Sequence, residues 1–187
     1  MEDLSLHILD IAENSIAAGA TLVRIRLGYR GEEDRLTLDI EDNGRGMTAD
    51  FVKKALDPFV TSRTTRNVGL GLSLLAQSAR ETGGDITITS AQGEGTTVSA
   101  LFRAGHIDMK PLGDIAETLL VLIAANPGIY FTFDYDYDKG TSPFSFDTRE
   151  IRVELEEVPI NSPAVLSALR KHLGTAFSGI RSKGYKL

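Results

Sequence analysis

A chain of 187 residues with 42% hydrophobic and 25% charged residues has the composition of a globular protein, with room for one domain and a sizeable extension. The net charge of -6 opposes a dedicated nucleic-acid surface, and the absence of cysteine excludes disulfides and thiolate metal sites. No apolar run reaches the roughly 18 residues that span a bilayer, so we expect a cytoplasmic protein that contacts neither membrane nor nucleic acid.

The N-terminal part of the chain predicts a helix followed by a β-hairpin. Apolar residues recur at helical spacing over residues 4–18 and leave a polar face on the opposite side of the helix. This polar face, which meets either solvent or a ligand, consists of His7, Asp10, Glu13 and Asn14. Alternating apolar residues over 21–29 and 36–41 predict two strands, the second of which carries Asp42 to a strand end.

Two further helices and two strands are predicted before residue 103. A short helix begins near Thr48 and ends before Pro58, and a polar, hydroxyl-rich connection follows. Residues 70–82 predict an amphipathic helix, and residues 85–90 and 96–102 predict strands joined by a glycine turn. We assign residues 1–103 to one domain.

Residues 104–187 predict an extension with the order helix, strand, strand, helix. The helices cover 114–125 and 163–178, and a hairpin pairs 129–137 with 144–156. Asp134, Asp136 and Asp138 alternate with aromatic residues in the first strand, as on a solvated strand face or a metal-binding face. The extension either adds strands to the main sheet or forms a small docking unit.

The chemistry of the first domain follows from its glycines and from the carboxylate beside them. Gly44 and Gly46 allow a flat ring to approach the main chain, and Asp42 can accept a hydrogen bond from an exocyclic amino group. Adenine fits that requirement.

The start of the second long helix predicts a phosphate site. Gly69 and Gly71 expose backbone amides there, and Thr61 to Arg66 supply hydroxyl and guanidinium donors just upstream. On the first helix, Asp10 and Asn14 lie one turn apart with Glu13 beside them, which suits Mg²⁺ bound to nucleotide phosphates.

The order of these segments resembles the Bergerat-fold ATPases called GHKL (gyrase, heat-shock chaperone, histidine kinase, MutL). The resemblance covers residues 4–103 and implies an α/β sandwich, with a mixed sheet covered by helices on one face. It implies that Asn14 of the N box binds Mg²⁺, that Asp42 reads adenine, and that ATP and ADP are ligands. The implied nucleotide-binding set is Asn14, Asp42, Gly44, Gly46, Met47, Arg63, Gly69, Leu70, Gly71, Leu72 and Thr96. The segment from Pro58 to Arg63 is similar to histidine kinases, whereas the segment from Asn14 to Ala20 is similar to MutL.

Two departures from the family pattern bear on catalysis. Hydrolysing branches carry a glutamate four residues before the N-box asparagine, where this chain has the shorter Asp10. We take Asp10 as the candidate general base and Glu13 as the second candidate. None of His7, His106 and His172 stands in the context of a histidine-kinase phosphoacceptor, so we expect no autophosphorylation on histidine within this chain.

Three functions agree with these residues. The first is a kinase-like module that binds ATP and Mg²⁺ and phosphorylates or regulates a separate protein. The second is a slow ATPase switch of the MutL or chaperone type, in which lid closure or homodimer formation follows nucleotide binding. The third is a nucleotide sensor without enzymatic activity.

Overall fold

The helices and strands follow the predicted order closely. The computed structural model describes residues 3–56, 70–138 and 144–182. Its elements are α1 (Leu4–Ala17), β1 (Leu22–Arg30), β2 (Arg35–Asp42), α2 (Ala49–Lys54), α3 (Leu70–Glu81), β3 (Asp85–Ala91), β4 (Gly95–Arg103), α4 (Ile115–Ala125), β5 (Tyr130–Tyr137), β6 (Phe144–Asp147), α5 (Thr148–Leu155) and α6 (Pro163–Ser182).

The strands form one mixed sheet of six strands in the order β3-β4-β2-β1-β5-β6. Every neighbouring pair is antiparallel except β1 and β5, which run parallel over eight residue pairs from Leu22 and Tyr130 to Tyr29 and Tyr137. The C-terminal extension therefore adds its strands to the main sheet, and β1 becomes an inner strand with a partner on each side.

The sheet has one buried face and one polar face, as expected from side chains that alternate along each strand. The buried face carries the alternating apolar residues of β1, β2, β4 and β5, and the helices α1, α3, α4 and α6 contribute to the same core. The opposite face carries charged residues such as Arg24, Arg26 and Glu41, which form two ion pairs. The predicted two-layer fold, with helices covering one face of a mixed sheet, is confirmed.

The prediction of a strand over residues 144–156 is wrong after residue 147. Asp147 caps a helix by accepting a hydrogen bond from the backbone N–H of Arg149, and α5 follows. Ile151, Val153 and Leu155 alternate as in a strand, but only Ile151 and Leu155, one helical turn apart, pack against the core. Val153 is 79% exposed, so the alternation does not reflect a buried strand face.

The two aspartates of β5 and Asp138, which follows it, have separate partners instead of a common one. Asp136 pairs with Arg30, Asp134 accepts a hydrogen bond from Ser145, and Asp138 accepts one from the backbone of Gly31. Within the described ranges no three acidic or histidine side chains are grouped so that they could hold a metal ion. The connection over residues 139–143 lies outside the described residues.

No helix in the described part of the chain is long and apolar enough to cross a membrane. The cytoplasmic location and the homodimer stay predictions.

Candidate nucleotide site

Three polar side chains form a row across the ends of three neighbouring strands. Asp42 of β2 lies opposite Thr96 of β4, and Thr96 lies opposite Ser90 of β3. All three lie on the helix-covered face of the sheet, because side chains an even number of residues apart along a strand share a face. Their buried partners on the same strands are Ile40, Val98 and Ile86. Each of the three polar residues is half-buried, so the row is not sealed inside the core.

Both carboxylate oxygens of Asp42 are held by neighbouring groups. Oδ2 accepts a hydrogen bond of 2.8 Å from the Ser15 hydroxyl on α1, and Oδ1 accepts one of 2.8 Å from the Gly44 backbone N–H. These bonds leave further lone pairs on the carboxylate, which has only acceptor capacity when ionised. Asp42 is thus oriented between the first helix and the following loop, ready to accept from a donor on a ligand.

The loop after Asp42 lies so close to its neighbours that side chains are excluded at two glycines. A Cβ on Gly46, which has φ of +64°, would overlap the carbonyl group of Ala91 at the end of β3. A Cβ on Gly95, which has φ of +95°, would overlap the carbonyl group of Asp42. These glycines let the backbone stay closely packed at the site.

Further hydrogen bonds fix the same loop to the rest of the sheet end. The Asn43 side-chain oxygen accepts from the backbone N–H groups of Thr21 and Leu22, each at 2.9 Å, at the start of β1. The Arg45 N–H donates to the Ala18 carbonyl at 2.9 Å, and the Arg45 carbonyl accepts from the Gly93 N–H at 2.8 Å. The loop is therefore tied to α1, β1 and the turn between β3 and β4.

The predicted metal and phosphate residues meet where α1 passes the first turn of α3. A Cβ on Gly71 would overlap the Asp10 carboxylate, and it would lie 3.5 Å from the Asn14 side-chain nitrogen. Asp10 and Asn14 are both half-buried, whereas Glu13 is exposed. Only a residue without a side chain allows α3 to begin this close to the two polar groups of α1.

Mg²⁺ fits this group of residues. The Asp10 carboxylate and the Asn14 side chain carry the oxygen ligands that the ion prefers, and one or two protein oxygens are enough where phosphates and water complete the shell. The start of α3 adds backbone N–H groups without partners inside the helix, which favour phosphate.

His7 does not belong to the polar face that the sequence predicted. Its side chain is fully buried between α1 and α3, and its Nε2 lies 3.1 Å from the Ser78 hydroxyl. Burial lowers the pKa of His7 to about 4, because the charged form would lose its hydration. The prediction that His7 meets solvent or ligand is wrong, since helical periodicity alone could not show that α3 covers this side of α1.

The remaining predicted site residues differ in their surroundings. The Met47 backbone N–H donates to the Ser90 hydroxyl, and Leu72 packs against the core from α3. Leu70 is the first residue of α3. Arg63, Gly69 and the segment from Thr61 to Arg66 lie outside the described residues.

Three residues of the site were not among the predicted ones: Ser15, Asn43 and Ser90. Ser15 and Asn43 directly follow Asn14 and Asp42, so their position in the sequence was a usable signal. Ser90 lies two residues after Ile88 and four after Ile86 in β3, so its side chain is on the same, buried face at the end of the strand.

The part of the chain that contains this site matches a known protein family. Residues 2–106 match the family described as histidine kinase-, DNA gyrase B-, and HSP90-like ATPases. The chain belongs to this family. The predicted resemblance is thereby confirmed, and residues 2–106 match an ATP-binding, histidine-kinase-like module.

Several curated relatives of this chain are named as kinases, and they are much longer than the chain. Sensor kinase CckA of Brucella abortus (strain 2308) is 39% identical over 75 residues, which cover 38% of this chain and 8% of that protein. AtoS, a signal transduction histidine-protein kinase of Escherichia coli (strain K12), is 32% identical over 101 residues, covering 54% and 16%. The sensory histidine kinase/phosphatase NtrB of Rhizobium leguminosarum bv. phaseoli is 38% identical over 84 residues, covering 43% and 21%. The chain thus spans less than a quarter of each of these proteins.

The fold is also similar to a solved structure, the N-terminal domain of a DNA repair protein. The TM-score is 0.53 at 16% sequence identity, and the similarity covers 79% of this chain and 52% of the other. At this identity the comparison concerns the fold alone.

Proposed function

We propose that the chain binds ATP with Mg²⁺ and acts on a separate protein, either by transferring the γ-phosphate to it or by regulating it. The observation that carries the proposal is the row formed by Asp42 and Thr96, which is joined to α1 through Ser15, the same helix that meets the start of α3 at Gly71. A purine base that donates to this row can direct its phosphates toward Asp10, Asn14 and Gly71. Base, metal and phosphate then each have a partner of suitable chemistry.

Each residue has a defined role in this proposal. Asp42, oriented by Ser15 and Gly44, accepts from the exocyclic amino group of adenine. Asn14 and Asp10 hold Mg²⁺ through their side-chain oxygens, and the ion neutralises phosphate charge when it is bound. Gly44, Gly46 and Met47 form the loop beside the base, and Gly71 with Leu70 and Leu72 presents the amides of α3.

A partner protein as the target is supported by the surroundings of His7. This histidine lies on the same helix as Asn14, but it is fully buried and hydrogen-bonded to Ser78, so it cannot approach a bound phosphate without unpacking α1 from α3. The relatives add a second support, since they are named as kinases, and residues 2–106 of this chain match a family of histidine kinase-like ATPases.

An ATPase switch is the second candidate, and the position of Asp10 favours it. The Asp10 carboxylate lies against Gly71, at the end of the site where the terminal phosphate is expected. A carboxylate there can act as a general base toward a water molecule if the geometry of attack is met. Hydrolysis would make the chain a slow switch instead of a kinase-like module.

Incubation with γ-labelled ATP and Mg²⁺ separates the candidates. The purified chain is compared with Asp42→Asn and Asp10→Asn variants, and ATP binding and released phosphate are measured together. The kinase-like proposal expects the chain to bind ATP and leave it intact when no acceptor is present, and Asp42→Asn to abolish binding while circular dichroism stays unchanged. Phosphate release by the original chain would establish the ATPase candidate, and its disappearance in an Asp10→Asn variant that still binds ATP with Mg²⁺ would assign Asp10 as the base.

A matched control keeps the result interpretable. Ser145→Ala removes a hydroxyl from the edge strand β6, far along the sheet from Asp42, and should leave ATP binding unchanged. If Asp42→Asn binds ATP as tightly as the original chain, the proposed base site is wrong.

A further inference from the structure

The hydroxyl of Ser90 has three hydrogen-bond partners at the base end of the site. The Met47 backbone nitrogen is 2.9 Å from it, the Gly95 carbonyl oxygen 2.7 Å, and the Thr96 hydroxyl oxygen 2.9 Å. A serine hydroxyl offers one hydrogen and two lone pairs, so three partners use its full capacity.

The chemistry of two partners fixes the direction of the third bond. The Met47 N–H can only donate, so it uses one lone pair of Ser90. The Gly95 carbonyl can only accept, so it takes the single hydrogen of Ser90. The remaining lone pair must receive the hydrogen of Thr96, which means that Thr96 donates to Ser90.

The Thr96 hydroxyl therefore has no hydrogen left for a ligand. Its exposed capacity consists of lone pairs, and it lies directly beside Asp42, whose carboxylate also only accepts. The row consequently presents acceptors at two adjacent positions. A free threonine hydroxyl would rotate and could donate to a ligand oxygen as readily as accept from a ligand nitrogen.

We propose that Ser90 determines the base specificity of this site by holding the Thr96 hydroxyl in the acceptor orientation. This inference rests on the proposed nucleotide site and concerns how that site selects its base. Adenine carries an amino group at position 6, which donates to the row. Hypoxanthine and guanine carry an oxygen at that position and have their nearest donor, the N1–H, one ring atom away. A base held with position 6 at the row would therefore place its oxygen against acceptors without a partner, and an unpaired buried acceptor is costly.

The experiment compares ATP with inosine triphosphate, whose base has an oxygen in place of the amino group. Dissociation constants of both nucleotides with Mg²⁺ are measured by calorimetry on the full chain, on Ser90→Ala and on Thr96→Val. Ser145→Ala, a serine-to-alanine change on the edge strand β6, serves as the matched control. The quantity of interest is the preference, the ratio of the two dissociation constants.

The original chain and Ser145→Ala should both prefer ATP. In Ser90→Ala the freed Thr96 hydroxyl can donate to the inosine oxygen, and we expect the preference to fall by about fivefold to tenfold, as one redirected hydrogen bond allows. Both affinities should also fall by a common factor, because the Met47 N–H loses its acceptor. A purely structural role of Ser90 would produce this common fall alone.

The double variant Ser90→Ala with Thr96→Val tests whether Ser90 acts through Thr96. Thr96→Val removes the acceptor without a large change of shape, so it should reduce the preference by itself. Adding Ser90→Ala should then cause no further reduction, which is the coupling expected of residues that act as a unit.

The outcomes separate this inference from the proposed function. If the original chain binds neither nucleotide, the proposed site fails and the inference fails with it. If ATP binds but the preference is absent, or if Ser90→Ala lowers both affinities equally, the inference is overturned while the nucleotide site stands. If Ser90→Ala does not fold, Thr96→Val decides, because an unchanged preference in that variant would also overturn the role of the row.

Discussion

The two lateral halves of the sheet are stabilised in different ways. We call the strands β2, β4 and β3 the polar half and the strands β5 and β6 the apolar half. On the side formed by β2, β4 and β3, the strand ends are joined by hydrogen bonds and by backbone contacts that exclude side chains at Gly46 and Gly95. On the side formed by β5 and β6, the packing against α6 is mainly aromatic and aliphatic. Phe133 packs with its ring centre 5.2 Å from that of Phe177 on α6, and Phe131 is fully buried.

The comparison shows two kinds of sequence constraint within one sheet. Backbone contacts and polar networks allow few residue types at each position, whereas an apolar core accepts many substitutions that preserve volume and pattern. The family match covers residues 2–106, yet β1 obtains one of its two neighbours from β5, beyond that range. Completing the sheet around β1 therefore requires residues outside the part of the chain that matches the family.

Removal of the C-terminal half should produce the largest effect. A chain that ends at Gly105 would leave β1 as an edge strand and would uncover the side of α1 on which α4 packs. Each large apolar side chain returned to water costs roughly 1.5–3 kcal/mol, and several such losses exceed a total stability of about 5–15 kcal/mol. We expect no cooperative thermal transition for this chain by circular dichroism.

The full chain with Asp42→Asn is the control for the truncated chain, because it changes the proposed site and keeps the whole sheet. It should keep its thermal transition and lose ATP binding. A truncated chain that unfolds cooperatively and binds ATP would show instead that the C-terminal half is a docking unit attached to an independent domain.

Glycine-to-alanine changes in one turn should separate backbone contact from backbone conformation. Gly93 and Gly95 both have positive φ, +81° and +95°, but a Cβ on Gly93 would meet nothing within 4 Å. Gly93→Ala should cost about 1–2 kcal/mol from the left-handed conformation alone. Gly95→Ala adds an overlap with the Asp42 carbonyl, so we expect about 3 kcal/mol or more and weaker ATP binding.

Denaturant unfolding of the two variants gives the comparison directly. Equal losses in free energy of unfolding would mean that the close approach of Gly95 to Asp42 does not stabilise the strand ends.

Features that depend on neighbouring residues in the chain were easier to predict from the sequence than contacts between distant segments. The helices, the strands and the order of the motifs were predictable up to residue 103, because periodicity and glycine spacing are local signals. Asp42, Asn14 and Gly71 are candidate site residues from the sequence alone, and their binding roles stay predictions.

Contacts between distant segments were not predictable. The Ser15 bond to Asp42 and the Ser90 bonds to Met47 and Thr96 depend on which strands become neighbours, and a single sequence does not state the pairing. His7 was misplaced for the same reason, since only the position of α3 decides that it is buried. The parallel pairing of β5 with β1 joins residues about a hundred positions apart, and either outcome for the extension agreed with the sequence.

A third prediction concerns a polar contact within the apolar half. The fully buried Thr148 hydroxyl accepts from the Phe131 N–H at 2.8 Å and lies 3.2 Å from the Phe131 carbonyl, at the start of β5. Thr148→Val leaves the buried N–H of Phe131 without this acceptor, and we expect a loss of about 1–3 kcal/mol. Denaturant unfolding measures the loss, and ATP affinity should stay unchanged because the site lies on other strands.

Thr175→Val supplies the matched control. Thr175 lies exposed on α6 and donates to the Lys171 carbonyl one turn earlier, so its replacement should be nearly neutral. Equal costs for the two variants, or an altered ATP affinity in Thr148→Val, would contradict the separation between the two sides of the sheet.

The smallest effect should be a dependence of stability on pH that arises from His7. Its pKa is about 4 in the folded protein and 6.5 in the unfolded chain, so the unfolded chain binds more protons between these values. Stability should therefore fall as the pH is lowered from 6.5 toward 4, by about 2 kcal/mol at pH 5, and His7 should contribute almost nothing above pH 7. Gln carries a neutral amide that can still bond to Ser78, so His7→Gln should lose this part of the pH dependence.

Unfolding free energies at pH 5 and pH 7 test this point when the original chain is compared with His7→Gln and with His172→Gln. His172 is exposed on α6, so its variant should follow the original chain at both pH values. If His7→Gln also follows the original chain, His7 is solvated or charged in the folded protein. In that case α1 and α3 would be packed less tightly beside the nucleotide site than the structure describes. The hydrogen bonds at the strand ends of the polar half would then have less support from the buried core beneath them.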